Sequence, residues 1–480
     1  MKLLIKSVFL IMLAASCQEK HKGKQYLSME NHDEKSKLSK YLDELKENGF
    51  SGSILIAHKG EIISEKGYGY SDRENKVKNT PVTVFDIGSI TKQFTAAAIL
   101  KLEVTGKLSV NDKITKYFKN VPEDKQQITL HHLLTHSSGL KPAIGGDYEM
   151  ISSNEFTNKA LKQKLLFPVG SAYEYSNVGY SLLAIIIEMV SETTYEDYLF
   201  QNLWKPAKMQ QTGYLRPKFI NEMIAMGYRR SDAWGKPIDK WDGEVSWHLK
   251  GNGGVLSTVK DMYKWHQALL NEDILSKEAK GKYYKPYIRE GEGTPSFYGY
   301  GWAIYPTPRD TYLIAHNGGN NIFFADFWRY LTEEVTVIMM TNSYKPEFEV
   351  INMNISGLLL NPDYEPIMSM EDNDDESNGG GGEIDQIVEG FIDTLQSEDK
   401  SIWEKFLKGN ATPEFLEMAP MEMHLSMFEK FHAIVKGQQI TDVSSDDGEV
   451  IVKLTSGKSL IITIDQYGKD KLGIAGIMVD

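Results

Sequence analysis

Phe85-Asp86-Ile87-Gly88-Ser89-Ile90-Thr91-Lys92-Gln93-Phe94-Thr95-Ala96-Ala97-Ala98-Ile99-Leu100-Lys101-Leu102 is the most informative segment of this 480-residue chain. From Ala96 on it is nearly all small or apolar, with no Gly or Pro, which predicts a buried helix. Ser89 then falls in the first turn of that helix. Three residues of helix bring a side chain back to almost the same face, so the Lys92 amine can reach the Ser89 hydroxyl. That pairs a nucleophile with a base. The unpaired N–H groups and partial positive charge at a helix N-terminus also suit a developing oxyanion. Spacing alone does not single the pair out, because Ser138 with Lys141, Ser257 with Lys260 and Ser397 with Lys400 repeat it. A Ser at this position is equally a preferred helix cap.

Upstream of this segment, residues 1–16 carry Lys2 and Lys6 and an apolar run ending at Leu13, too short to span a bilayer, and read as a secretory signal. Cys17, the one Cys of the chain, follows Ala14-Ala15-Ser16 and resembles the acylated Cys of a bacterial lipobox, although Ala14 stands where Leu is usual. An ordinary signal cut nearby is the alternative. The lipobox reading makes 17–32 a tether and predicts an exported, lipid-anchored protein of the cell envelope, attached to the membrane through that anchor only. The net charge of −13 argues against nucleic acid, whose phosphates need clustered Lys and Arg.

From Asp33 a helical pattern places Leu38, Tyr41, Leu42 and Leu45 on one face, and strands Ser53 to Ala57 and Glu61 to Lys66 follow, joined by a tight turn at His58-Lys59-Gly60. The next two hundred residues read as helix and loop. His132 and His136 lie four apart on an expected helix, but Leu133 stands where a zinc-peptidase helix has Glu and no third ligand is apparent, so no metal and no cofactor are expected. Tyr175-Ser176-Asn177 lies between a Pro-Gly turn and an apolar helix, where a loop can point two side chains into a cleft. Thr258 and Asp261 are spaced as a capping box, which makes Ser257 a helix-start residue. Tyr298 to Trp302, Tyr312 to Ala315, Phe323 to Trp328 and Val335 to Thr341 read as strands, and a last apolar helix runs to about Leu360. The first hairpin and the last three of these strands can form one antiparallel sheet.

Ser89-x-x-Lys92, Tyr175-x-Asn177 and His316-x-Gly318, in that order, resemble the serine beta-lactamase and penicillin-binding protein superfamily, closest to its class C-like branch of beta-lactamases, D-aminopeptidases, DD-carboxypeptidases and esterases. The stretches 132–140, 168–170 and 253–258 also look like that branch. The resemblance, over residues 33–365, implies an α+β hydrolase domain: an antiparallel sheet flanked by helices, with an inserted mainly helical domain and the active site between them. It implies a serine hydrolase cleaving an ester or amide of a small molecule or peptide, such as a D-amino-acid peptide or ester, through an acyl-enzyme. Ser89 is then the acylated nucleophile, Lys92 its activating partner, and Tyr175 the general base and acid. Asn177 holds Lys92 and the substrate carbonyl, His316 and Gly318 contribute to catalysis and substrate binding, and the N–H groups of Ser89 and Gly319 form the oxyanion hole. Each such donor is worth on the order of 3 kcal/mol in the transition state. His316 replaces the usual Lys, which weakens recognition of a substrate carboxylate and favours peptidase or esterase activity over efficient beta-lactamase activity. The rival from another class is a non-catalytic protein that keeps the fold to bind cell-wall peptide or a partner.

Residues 366–383, rich in Asp, Glu and Gly, read as a linker. Residues 384–480 read as an accessory α+β domain, with an amphipathic helix over Ile384 to Leu395, more helix with many Met over Phe415 to Val435, and strands Val450 to Leu454, Ser459 to Ile464 and Leu472 to Val479. The Met stripe is expected to be core.

Overall fold

A computed structural model describes residues 32–229, 232–291 and 294–367 and, from 381 to 479, all but 418, 437, 439, 447–448, 457 and 468–470. The signal at 1–16, Cys17, nearly all of the tether and most of the linker lie outside the described residues. The chain forms two compact units.

The first unit is built on an eight-stranded antiparallel sheet. Its order is Glu61–Tyr68, Gly52–His58, Val335–Thr341, Phe324–Tyr330, Tyr312–Gly319, Ala303–Pro306, Phe297–Tyr298 and Ile288–Arg289. The expected closure of the sheet is present, with Gly52 opposite Thr341 and Thr341 opposite Phe324. The first hairpin turns through Lys59 and Gly60, both at positive φ (51° and 78°), as a two-residue turn matched to strand twist requires. Gly52–His58 is buried throughout, whereas the edge strand Glu61–Tyr68 is largely solvent-facing and carries Glu61, Glu65 and Lys66, charges that discourage edge-to-edge pairing. On the first helix, His32–Glu47, the expected Leu38, Tyr41, Leu42 and Leu45 are all buried.

The helix Thr91–Val104 is buried on every side from Thr91 to Leu100, which explains its lack of a polar stripe. Phe94 anchors it against Trp204 (ring centroids 5.6 Å apart) and Trp265 (4.9 Å). A Phe→Ala change at such a site costs about 3–5 kcal/mol.

Several local expectations are corrected. Ser89 lies in a separate 3-10 turn, Gly88–Ile90, just before the helix, and makes no cap bond. The helix at 130 ends at Leu134, and His136 lies beyond it at φ 59°, so the two His do not share a helix. Asn177 is not on a loop but is the first residue of the helix Asn177–Ser191, capped by Ser176. Ser257 pairs with Phe85 in a two-stranded ladder, and only half of the capping box forms: Thr258 caps Asp261 N, while the Asp261 carboxylate turns to Gln211 N and Thr212. Tyr298 to Trp302 is not one strand. The backbone turns at Gly301 (φ 75°), where a Cβ would lie 2.7 Å from the Lys92 carbonyl oxygen, so only Gly lets this turn rest on the helix Thr91–Val104. The strand expected to end at Ala315 continues to Gly319 and carries His316 and Gly318 within it.

The second unit contains helices Gly381–Gln396, Lys400–Asn410, Pro413–Glu417 and Met421–Val435 and the antiparallel sheet Ile440–Asp446, Glu449–Leu454, Ser459–Tyr467, Lys471–Val479. Its core includes Phe391, Trp403, Leu407, Phe428, Val452, Leu460, Ile462 and Ile474. The expected single helix from Phe415 is broken before Met421 by Pro420, which cannot donate a helical N–H. Of the Met stripe, Met421 and Met427 are half-buried and pack against this core, Met423 is 63% exposed and Met418 lies outside the described residues, while Phe428, Phe431 and Val435 are buried beside them.

Candidate active site

The loop Gly251–Val255 is tied to the Lys92 helix at two successive turns. Thr95 Oγ1 donates to Gly251 O (2.6 Å), and Thr91 Oγ1 accepts from Val255 N (3.2 Å). Asn252 Nδ2 donates to Ser181 Oγ and His248 O (2.8 Å each), which fixes the Asn252 carbonyl over Lys92. Lys92 Nζ lies 3.0 Å from Ser89 Oγ, 2.7 Å from Asn177 Oδ1 and 2.9 Å from Asn252 O, and its side chain is fully buried. A neutral amine has two N–H donors and one lone pair. The two carbonyl oxygens can only accept and therefore take both hydrogens, leaving the lone pair for the Ser89 hydroxyl proton. Burial favours this state by pushing Lys92 well below the ordinary lysine range, opposed by the Asp147 carboxylate.

Tyr175 sits beside this pair, with Lys92 Nζ 4.6 Å from its ring centroid. Burial raises its pKa, partly offset by the Ser89 hydroxyl, so the phenol is neutral at pH 7. His136 packs on the Tyr175 ring (4.3 Å between centroids) and accepts from Ser176 N at Nδ1 (3.0 Å), so it orients the Tyr175–Asn177 segment. Burial holds His136 neutral. His316 Nδ1 lies 2.6 Å from Asn317 O and must donate to it, so Nε2 accepts from Tyr298 OH (2.9 Å). Burial, then Lys92, pull His316 down to about 3, leaving it uncharged. Among the described residues no three His, Cys, Asp or Glu side chains gather as metal ligands.

The Ser89 turn and the strand Tyr312–Gly319 meet backbone to backbone. A Cβ on Gly318 would lie 2.3 Å from Ser89 N and from Ile87 O, and one on Gly88 (φ 48°) would lie 2.4 Å from Gly319 N. Two glycines therefore bring the N–H groups of Ser89 and Gly319 to facing backbones. Asp86 Oδ1 accepts from Gly88 N (2.8 Å) and steadies the turn, and burial pushes that carboxyl up to about 7.

Ser89, Lys92, Tyr175, Asn177, His316, Gly318 and Gly319, spread over 230 residues, are thus brought together. The decoys are not. Ser138 Oγ accepts from Leu140 N, Ser257 Oγ bonds Thr212 Oγ1, and Ser397 Oγ accepts from Asp399 N. Asn252 and Asp86 are site residues that the sequence reading misses, and His136, weighed there as a metal ligand, instead hydrogen-bonds the start of the helix Asn177–Ser191.

A family model described as Beta-lactamase matches residues 38–360. The chain belongs to the beta-lactamase family. Members of this family are serine hydrolases. This beta-lactamase-family chain is 34% identical over 274 residues to a Bacillus subtilis (strain 168) protein named as a penicillin-binding protein, PbpX, covering 57% of the chain here and 66% of that protein. It therefore spans just under two thirds of that relative's length. The octameric penicillin-binding protein homologue from Pyrococcus abyssi matches with TM-score 0.59 and 25% identity over 90% of this chain and 91% of that one. The D-amino acid amidase from Ochrobactrum anthropi SV3 shares the fold, with TM-score 0.57 and 24% identity over 68% of this chain and 98% of that one.

Proposed function

We propose that this protein is a serine hydrolase that cleaves an ester or amide, such as a D-amino-acid peptide or ester, through an acyl-enzyme on Ser89. The observation that carries the reading is the buried Lys92 amine, 3.0 Å from Ser89 Oγ and held by the carbonyl oxygens of Asn177 and Asn252, in surroundings that favour its neutral form. Lys92 takes the hydroxyl proton as Ser89 attacks the carbonyl carbon, the oxyanion is received by the N–H groups of Ser89 and Gly319, and Tyr175, a neutral phenol, donates a proton to the leaving group. Lys92 then returns its proton to Tyr175, and the reverse transfers activate water for deacylation. Asn177 holds Lys92 through Oδ1, which leaves its amide N–H groups for the substrate carbonyl. With His316 uncharged, peptides and esters are preferred to penicillins. Intact-mass measurement after incubation with a fluorophosphonate tests this: one adduct, mapped to Ser89, is expected, with little or slow uptake of penicillin. An unlabelled Ser89 in folded protein contradicts it.

We also propose export and lipid anchoring through Cys17. Cys17→Ser is expected to move the protein from the membrane fraction to the soluble one, as two or three acyl chains are needed for stable attachment. Wild-type protein found soluble with an unmodified Cys17 refutes the anchor.

Residues 384–480 are proposed as an accessory domain, with its own core, that is not needed for chemistry. Deleting 371–480 is expected to leave a folded hydrolase whose turnover of a small aryl ester changes by less than about tenfold, roughly 1.4 kcal/mol in barrier. Loss of that turnover in a truncation that still melts cooperatively overturns the proposal.

A further inference from the structure

The two N–H groups offered to the oxyanion come from segments far apart in the chain, the Ser89 turn and the end of the strand Tyr312–Gly319. Gly88 and Gly318 let these segments touch, but a contact between backbones does not fix their separation. Hydrogen bonds do, because they are directional. On the turn side, the backbone of Asp86 pairs with Leu256, and Ile87 N donates to Val255 O (3.0 Å). From this fixed point Asp86 Oδ1 accepts from Gly88 N (2.8 Å), the residue before Ser89.

On the strand side, Asn320 directly follows Gly319 and closes the turn into Phe324–Tyr330. Its backbone N donates to Phe323 O (3.1 Å), and its Oδ1 accepts from Ile322 N (3.2 Å) and Phe323 N (2.8 Å). Those two backbone donors fix which way the amide faces, since the opposite orientation would set its NH2 against them. Nδ2 is therefore left to donate outward, to Asp86 Oδ2 (3.3 Å) and to Tyr148 OH (3.3 Å). Asp86 is only 3% exposed, and a carboxylate so placed is costly unless its oxygens are hydrogen-bonded. Its two oxygens take one donor from each side of the oxyanion site.

We infer that Asp86 and Asn320 are positioning residues that hold the two oxyanion donors at a fixed separation. The Asp86 carboxylate joins Gly88 N, next to Ser89 N, to the side chain of Asn320, next to Gly319 N. Neither side chain supplies an oxyanion donor, and both act through Ser89 N and Gly319 N. This rests on the Ser89 acyl-enzyme reading and adds what keeps its oxyanion site in register. The device needs an acceptor facing a donor, and the order of the two can be exchanged.

The test uses the full chain at pH 8, above the value of about 7 to which burial moves Asp86. Asp86→Asn sets an NH2 against Asn320 Nδ2 or, flipped, against Gly88 N, and Asn320→Asp sets one carboxylate against another. Each is expected to lower kcat for a small aryl ester about 30- to 100-fold with KM within about threefold, as a misplaced oxyanion donor requires. The double variant Asp86→Asn/Asn320→Asp remakes every contact. The amide at position 86 accepts from Gly88 N and donates across to the carboxylate at position 320, which still accepts from Ile322 N and Phe323 N and now accepts from Tyr148 OH. Its kcat is expected within about fivefold of wild type. Melting curves of all four proteins separate a lost site from a lost fold. Rate losses that the double variant does not recover, although it melts like wild type, overturn the inference. Single variants that keep wild-type kcat, or whose KM rises in step with the fall in kcat, overturn it too. Should a single variant not fold, the double variant carries the test, and a folded double more than about 30-fold slower than wild type overturns the inference. A wild-type protein that hydrolyses no ester and takes up no fluorophosphonate on Ser89 would instead overturn the hydrolase reading on which the inference stands.

Discussion

Ser89→Ala is expected to lower turnover of a simple aryl ester by about 10⁴-fold or more and to abolish the fluorophosphonate adduct. The size follows from what the residue supplies: without a nucleophile there is no acyl-enzyme, and only the oxyanion site and binding remain. The change is not expected to cost the fold, since Ser89 makes no cap bond. Ser138→Ala and Ser257→Ala supply the comparison. Each loses a hydroxyl that bonds only its own surroundings, and Thr212 keeps Asp261 Oδ2 at 3.1 Å when Ser257 is gone. Both should stay within about threefold of wild type, a small effect on the barrier scale. Equal losses in all three folded variants would refute the assignment.

Gly318→Ala is expected to lower kcat about 100- to 1000-fold with the protein still folded, the cost of misplacing an oxyanion donor. The added methyl would fall 2.3 Å from both Ser89 N and Ile87 O. Both are backbone atoms, so no side chain can swing aside. The strand and the Ser89 turn must part, and the two N–H groups separate by a distance that matters to a bond of about 2.9 Å. Gly281→Ala is the control. It lies in the helix Lys277–Tyr283 with nothing within 4 Å of its Cβ position, and should be neutral in rate and slightly stabilising, by about 0.5–1 kcal/mol. Circular dichroism and a melting curve separate a lost site from a lost fold.

The parts of this site that were legible in sequence are those that rest on side-chain type and periodicity. Ser89 and Lys92 stood out because a run of small apolar residues follows them, and the sheet was readable from the hairpin turn and the late apolar strands. The parts that were not legible act through backbone or through isolation. Asn252 contributes a carbonyl, which every residue has, and Gly318 matters for the side chain it lacks. Asp86 is a single acid at the end of a two-residue strand, indistinguishable in sequence from a solvated one. His136 turns at positive φ because Ser176 N and the Tyr175 ring hold it there, a tertiary effect that no local pattern encodes. The helix Lys400–Asn410 did carry its signal, in Trp403, Phe406 and Leu407, and the sequence reading passes over it.

The central claim is that Lys92 is the base because burial keeps its amine unprotonated. The most direct test is the pH dependence of the second-order rate of Ser89 phosphonylation by a fluorophosphonate that has no titrating group of its own. A depressed Lys92 pKa means that the base is already free well below the ordinary lysine value of about 10.4, while Tyr175, pushed up by burial, stays protonated. The logarithm of the rate should therefore rise with unit slope on the acid side and level off well short of that value, and Lys92→Ala should remove the step along with most of the rate. A rate that climbs with unit slope through pH 10 without levelling would contradict the account.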